Sequence, residues 1–263
     1  MRFVQANGLV IHYLDHGRRD APPLVFINSL GTDFRIWTEV VGILAPDFRI
    51  LLYDKRGHGL SEFGRDKNDM ADYARDLAAL LDSVGVRRAT IVGLSIGGMI
   101  AQELCRLSPE RVAALVLCDT AAKIGTDESW DQRIAEVESG GVEAIADAVL
   151  ARWFTADFRS QRSAELAGMR AMLTRTPIEG YLGACGALKR ADLRPHAGRI
   201  KAPTLCLVGD QDGSTPVSLV KETAALIPGS RFEVIEGAGH LPNLERPRIV
   251  AEWVADHARR GAS

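Results

Sequence analysis

The sequence predicts an α/β protein with a mostly parallel central sheet and helices on both faces. Three observations carry this expectation. Short apolar runs recur along the chain, stretches of helical period separate them, and chemistry-bearing residues follow the runs directly. Strands covered on both faces read as unbroken apolar runs, whereas strands wetted on one face alternate.

The first run is Leu9-Val10-Ile11-His12-Tyr13-Leu14, followed by runs at 24–27 and 48–53. Further strands are expected at 88–92, 113–118, 204–208 and 231–235. Between the third and fourth, Met70, Tyr73, Leu77, Leu80, Leu81 and Val84 recur at helical spacing, and Gly85 is placed to stop that helix. From about residue 120 to 195 the strand signal vanishes. Trp130, Ile134 and Val137, then Val142, Ile145, Val149 and Trp153, then Leu166, Met169 and Leu173 repeat every three or four residues. Thr176-Pro177 reads as an N-cap with proline at the first helical position, opening a helix through Tyr181, Leu182, Cys185 and Leu188. The expected organisation is a core of residues 1–119 and 196–263, interrupted by a helical cap of about four elements at 120–195. The tail 259–263 reads as frayed.

Composition excludes several classes of function. A chain of 263 residues accommodates one large domain or a core with an insertion, and its 46% hydrophobic and 25% charged residues are those of a globular protein. A net charge of −2 provides no bulk field for nucleic acid or an anionic membrane. No run approaches membrane-spanning length, and Phe3-Val4-Gln5-Ala6-Asn7 lacks the apolar core of a signal peptide, so a cytoplasmic protein is expected. Cys105, Cys118, Cys185 and Cys206 form no C-x-x-C pair and read as reduced, buried thiols. His12, His16, His196 and His257 have no companion at ligand spacing, so no metal site is expected.

Gly93-Leu94-Ser95-Ile96-Gly97 sits directly after one apolar run and directly before a helix-like stretch. A serine hydroxyl is a poor nucleophile until a base takes its proton, and a tight strand-to-helix turn exposes Oγ to such a base. The string alone is a weak signal, because glycine and serine are common in ordinary turns. What strengthens it is an acid and a histidine in the required chain order. The run 204–208 ends in Gly209-Asp210-Gln211-Asp212, and the run 231–235 ends in Glu236-Gly237-Ala238-Gly239-His240. Ser95, Asp212 and His240 are the expected nucleophile, acid and base, with Asp210 the main competitor for the acid and Asp119 a weaker third candidate. His58, in a loop near the site, reads as a histidine satisfied by backbone groups. After the run ending at Ile27, the polar loop Asn28-Ser29-Leu30-Gly31-Thr32 is placed to supply one oxyanion N–H and the residue after the serine another. Leu30 and Ile96 are assigned to that role.

The chain resembles the α/β-hydrolases over essentially its whole length. More narrowly it is similar to 3-oxoadipate enol-lactonases of aromatic-compound catabolism, through the segments 26–33, Tyr53-Asp54-Lys55-Arg56-Gly57-His58-Gly59-Leu60-Ser61, 93–99 and 117–126, followed by Trp130, Arg133 and Arg152-Trp153-Phe154. Asn28-Ser29 stands where many hydrolases have His-Gly, and Asp119 where the resemblance implies asparagine. The resemblance implies a small anionic lactone as substrate, ring opening through an acyl-serine, and no metal or organic cofactor. Ser29, Trp130, Arg133 and Trp153 are then the candidates for substrate contact. A general carboxylesterase, a carbon–carbon bond hydrolase or a cofactor-free perhydrolase would use the same triad. A small-molecule receptor with a slow triad is the reading from outside enzymology. Oligomeric state is not legible in the sequence.

Overall fold

The computed structural model describes residues 2–64 and 68–261. Eight strands, β1 (Arg2–Ala6), β2 (Leu9–Gly17), β3 (Pro23–Ile27), β4 (Arg49–Tyr53), β5 (Ala89–Leu94), β6 (Val112–Cys118), β7 (Thr204–Gly209) and β8 (Arg231–Ile235), form one sheet in the order β1-β2-β4-β3-β5-β6-β7-β8. β1 and β2 are antiparallel to each other and β2 to β4; the neighbours from β4 to β8 are parallel. The expected runs are the central strands, and β5 and β7 are buried at every position. Helix Ile96–Leu107 packs against β3, β5, β6 and helix Met70–Ser83, while helix Pro247–Gly261 packs against β5, β6 and helix Thr38–Leu44. Two helical layers therefore enclose a parallel sheet.

The register sets the position of the site. Ile27 pairs with Gly93, Gly93 with Leu117, Cys118 with Leu207 and Gly209 with Ile235. The carboxyl ends of β3, β5, β6, β7 and β8 finish level, and the loops that follow line one edge, where parallel sheets gather their functional groups.

The structure differs from expectation at four places. β1 carries no apolar run, because it is an edge strand whose Arg2, Phe3 and Gln5 are exposed and only Ala6 is buried. Between β6 and β7, helix Ala156–Gln161 and the short helix Arg194–Ala197 add to the expected helices, both too brief to show a period. Helix Ile178–Arg190 begins one residue later than predicted. Pro177 is its N-cap, with ψ 131 and a carbonyl accepting from Tyr181 N at 2.9 Å, while the Thr176 hydroxyl donates back to Met172 O at 3.4 Å. The tail expected to fray continues as helix to Gly261; Ala262 and Ser263 lie outside the described residues.

One buried ion pair ties the loop after β4 to the first helical layer. Arg56 Nε and Nη2 donate to Asp76 at 2.6 and 2.7 Å, Nη1 donates to Asn68 Oδ1 at 2.6 Å, and Asn7 Nδ2 donates to Asp76 Oδ1 at 2.8 Å. Removing one partner would leave a guanidinium buried without its counter-charge. Asp76→Ala is therefore expected to lower the unfolding free energy by about 3–5 kcal/mol in urea titrations; a loss below about 1 kcal/mol would show that the pair behaves as a surface ion pair.

Candidate active site

Ser95 stands between β5 and helix Ile96–Leu107 with φ 57° and ψ −120°, a left-handed conformation that a side-chain-bearing residue adopts only under constraint. The constraint comes from both sides. Ser95 N donates to Cys118 O at 3.0 Å, and the Ser95 carbonyl accepts from Gly98 N at 2.9 Å and Thr120 Oγ1 at 2.6 Å. Glycine is required at 93 and 97, because a Cβ there would lie 2.3 Å from Gly97 O and 2.5 Å from Ile27 O respectively. The turn leaves Ser95 8% exposed at the edge of a cavity.

Asp212 and His240 are brought together at the ends of β7 and β8. His240 Nδ1 lies 2.9 and 3.0 Å from the two Asp212 carboxylate oxygens, with both side chains buried. Asp212 also accepts from Ser214 N, Thr215 N and Thr215 Oγ1 at 2.7, 3.0 and 2.6 Å. Burial pushes the Asp212 carboxyl up, but the histidine and the Thr215 bonds outweigh it and hold the group below the ordinary carboxylate range. Asp210 is exposed and accepts from Ala238 N at 3.1 Å within the neighbouring turn. Asp119, Asp212 and His240 each offer an atom within 4.8 Å of the others. With His240 Nδ1 hydrogen-bonded to a carboxylate, its proton rather than its lone pair faces that cluster, which suits a proton network better than a cation.

The loop after β3 is held from below by groups whose role burial reveals. Lys55 is fully buried, and its Nζ donates to Ser29 O at 2.6 Å and Thr32 O at 3.3 Å. The Asn28 amide also donates to Thr32 O, and Gly31 N donates to His58 Nε2 at 3.1 Å. Burial pushes the His58 imidazole well below its ordinary pKa, so it is the neutral acceptor this bond needs. Among the described residues the Leu30 N–H makes no hydrogen bond, and Ile96 contributes one of the unpaired N–H groups of a helix N-terminus.

Ser29, Leu30, Ser95, His240, Trp130, Arg133 and Trp153 line one cavity of about 170 Å³, with Arg152 and Tyr181 also in its wall. That volume is below the roughly 300–1,000 Å³ of drug-sized sites and suits a small substrate. Arg133 stacks on Trp130 with Cζ 5.3 Å from the ring centroid, and the indole N–H donates to Ile124 O at 2.7 Å. Among the described residues neither Arg133 nor Arg152 closes an ion pair. Burial and the nearby Arg133 charge push the Arg152 guanidinium down, as two cations facing one small cavity require.

Sequence reasoning missed Glu245. Its carboxylate accepts from Gly239 N at 2.6 Å and from Thr155 Oγ1 at 2.7 Å, so it braces the His240 loop against the segment after Trp153. Leu241 N and Gly213 N likewise donate to Trp153 O and Arg152 O, both at 3.3 Å. Lys55 is equally hidden in the sequence, since a lysine in a polar loop reads as solvated until the fold buries it.

The α/β hydrolase fold family model matches residues 22–247. The chain belongs to the α/β-hydrolase family. As an α/β-hydrolase it is 34% identical to 3-oxoadipate enol-lactonase 2 of Acinetobacter baylyi, over 92% of this chain and 91% of that one. It is 33% identical to 3-oxoadipate enol-lactonase 1 of the same organism, over 88% and 86%. The crystal structure of the enol-lactonase from Burkholderia xenovorans LB400 superposes with a TM-score of 0.94 at 38% identity, covering 97% of this chain and 99% of that chain. The chain is a hydrolase. No helix among the described residues is long and apolar enough to cross a membrane.

The buried lysine of this α/β-hydrolase makes its stability depend on pH in a defined direction. Burial lowers Lys55 from 10.5 to about 7 in the folded chain. Between those values the unfolded chain binds the extra proton, so this contribution to stability rises with pH from about 7 to about 10.5. Urea midpoints measured across that window should rise less steeply in Lys55→Met than in the unmodified protein. Equal slopes would show that Lys55 keeps its proton throughout.

Proposed function

We propose that this hydrolase opens the ring of 3-oxoadipate enol-lactone to give 3-oxoadipate, with Ser95 as nucleophile, His240 as general base and acid, and Asp212 as the orienting acid. The observation that carries the reading is a small cavity lined by Ser95 and His240 together with Arg133 and Arg152, which close no ion pair among the described residues. A lactone bearing a carboxylate matches that polarity, since burying such an anion unpaired is costly and arginine binds it bidentately. Similarity to enol-lactonases over nearly the whole chain supports the same substrate class.

In this reading the Ser95 hydroxyl attacks the lactone carbonyl as its proton passes to His240 Nε2, and the Leu30 and Ile96 N–H groups receive the developing oxyanion. Collapse of the tetrahedral intermediate breaks the ring C–O bond. The enol oxygen leaves with the proton from His240, and tautomerisation of the enol to the ketone makes the opening hard to reverse. Water then attacks the acyl-Ser95 ester while His240 takes its proton, and the second collapse returns that proton to Ser95 and releases 3-oxoadipate. Asp212 holds the Nδ1–H of His240 throughout and stabilises each transient imidazolium. No step calls for a metal or organic cofactor.

Residues 120–195 form the cap of this proposal, carrying Trp130, Arg133, Arg152 and Trp153 to the cavity. The two ends of the insertion meet where Leu193 N donates to Ala122 O at 2.8 Å. Four buried free cysteines fit a reducing, cytoplasmic setting.

Ser95→Ala is expected to abolish turnover of the enol-lactone with an unchanged circular dichroism spectrum. Retained turnover would remove Ser95 from the chemistry. Arg133→Leu should raise KM for the enol-lactone roughly ten- to a hundredfold, the loss of one charge-assisted contact, while hydrolysis of a small neutral ester is spared. Equal effects on both substrates, or none, would place the anion site elsewhere. Faster turnover of neutral esters than of the lactone by the unmodified protein would favour a general carboxylesterase.

A further inference from the structure

The carboxyl group of Asp119 has no assigned role in the chemistry above, yet it lies directly behind it. Asp119 follows β6 with φ 45°, a left-handed backbone that aspartate tolerates better than most residues. Its amide donates to Leu207 O at 2.8 Å, and its Oδ1 accepts from Gly209 N at 2.8 Å, so both groups are fixed to the end of β7. The side chain is fully buried, and Oδ2 has no hydrogen-bond partner among the described residues. One Asp119 oxygen, one Asp212 oxygen and a His240 ring nitrogen all lie within 4.8 Å of one another.

An ionised carboxylate only accepts hydrogen bonds, so a buried orphan oxygen beside a second carboxylate is unfavourable twice over, by desolvation and by like-charge repulsion. Protonation removes both penalties at once. It turns an Asp119 oxygen into a donor, with an Asp212 carboxylate oxygen within 4.8 Å of the group to receive it. We propose that Asp119 and Asp212 share a single negative charge behind His240, with Asp119 the protonated member that donates a hydrogen bond to Asp212 and takes over the charge when Asp212 is neutralised. The proposal rests on the Ser95–His240–Asp212 reading and deepens it: Asp119 acts through Asp212 and is a positioning residue.

The electrostatics run the same way. Burial pushes the Asp119 carboxyl well above the ordinary carboxylate range, and the charges of Asp212 and Glu245 push it further, while the Gly209 bond pulls it down. Asp212 is held low, mainly against its own burial, by His240 and Thr215. Two neighbouring carboxyls driven in opposite directions titrate as a pair, with one proton between them. Among the described residues the other titratable groups around Asp119 include His240 and the adjacent Cys118 thiol, which burial raises well above its ordinary pKa and leaves neutral.

The test combines a spectroscopic and a kinetic readout. In protein labelled with 13C at the aspartate carboxyl, the unmodified chain at pH 7 should show one signal at the position of a protonated acid. Asp119→Asn should remove that signal, and Asp212→Asn should move it to the ionised position. No protonated signal, one unaffected by Asp119→Asn, or one still protonated in Asp212→Asn overturns the proposal, and each can be read even if the enol-lactone is not the substrate. Kinetically, Asp119→Asn keeps an N–H donor to Asp212 and should lower kcat only a fewfold. Asp212→Asn should cost well under the about 10⁴-fold seen when a triad acid is neutralised with no second acid present. The double variant should fall at least about tenfold below the product of the two single effects, the signature of one acid standing in when the other is neutralised. Losses that simply multiply would make Asp119 a structural residue only.

Discussion

The left-handed backbone of Ser95 is the constraint on which the rest of the site depends. Holding a serine at φ 57° and ψ −120° is unfavourable for the isolated residue and persists because its surroundings over-determine it. The strand before it, the helix after it, the Cys118 carbonyl and the Thr120 hydroxyl all engage its backbone. That leaves the side chain as the part free to face the cavity. The same geometry requires that nothing larger than hydrogen occupy positions 93 and 97, so that helix and strand cross almost in contact. A serine presented in this way serves the proposed attack without reorganisation at the moment of reaction.

Around that corner the protein places charges where burial makes them count. Lys55 has no carboxylate of the described residues bonded to its ammonium and instead pins two loop carbonyls, Ser29 and Thr32, which fixes the peptide that carries Leu30 N–H. Glu245 does the corresponding work for the histidine loop, tying Gly239 to Thr155 across the gap between sheet and inserted helices. Arg133 and Arg152 are the opposite case. Both line the cavity and close no ion pair among the described residues, Arg133 is stacked on Trp130, and burial together with the Arg133 charge pushes the Arg152 guanidinium down. A neutral ester would gain little from such an arrangement.

The central sheet was legible because strands buried on both faces leave an apolar record. β1 left none, since an edge strand with exposed Arg2, Phe3 and Gln5 looks like a polar terminus. The chain order of Ser95, Asp212 and His240 was readable, and the structure sets Asp212 against His240 Nδ1 while Asp210 turns to solvent. Other features were hidden for one physical reason: burial decides them, and no local pattern encodes burial of a polar group. A lysine in a Lys-Arg-Gly-His loop and a glutamate in a short helix after His240 read as solvated charges, and the aspartate ending β6 reads as a rival of Asp212 for the acid, not as its buried neighbour. Long-range packing makes each a fixed part of the site. Arg133 could be named from its spacing to Trp130, but that it shares a cavity with Arg152 follows only from how the inserted helices fold back over the sheet.

The most direct test of this account is stoichiometric labelling with a fluorophosphonate, which reacts with a serine only when a base has activated it, followed by peptide mass spectrometry. One label per chain, on Ser95, formed more slowly in the presence of 3-oxoadipate, is the expected result. A folded protein that takes no label, a label on another residue, or labelling indifferent to 3-oxoadipate would contradict it.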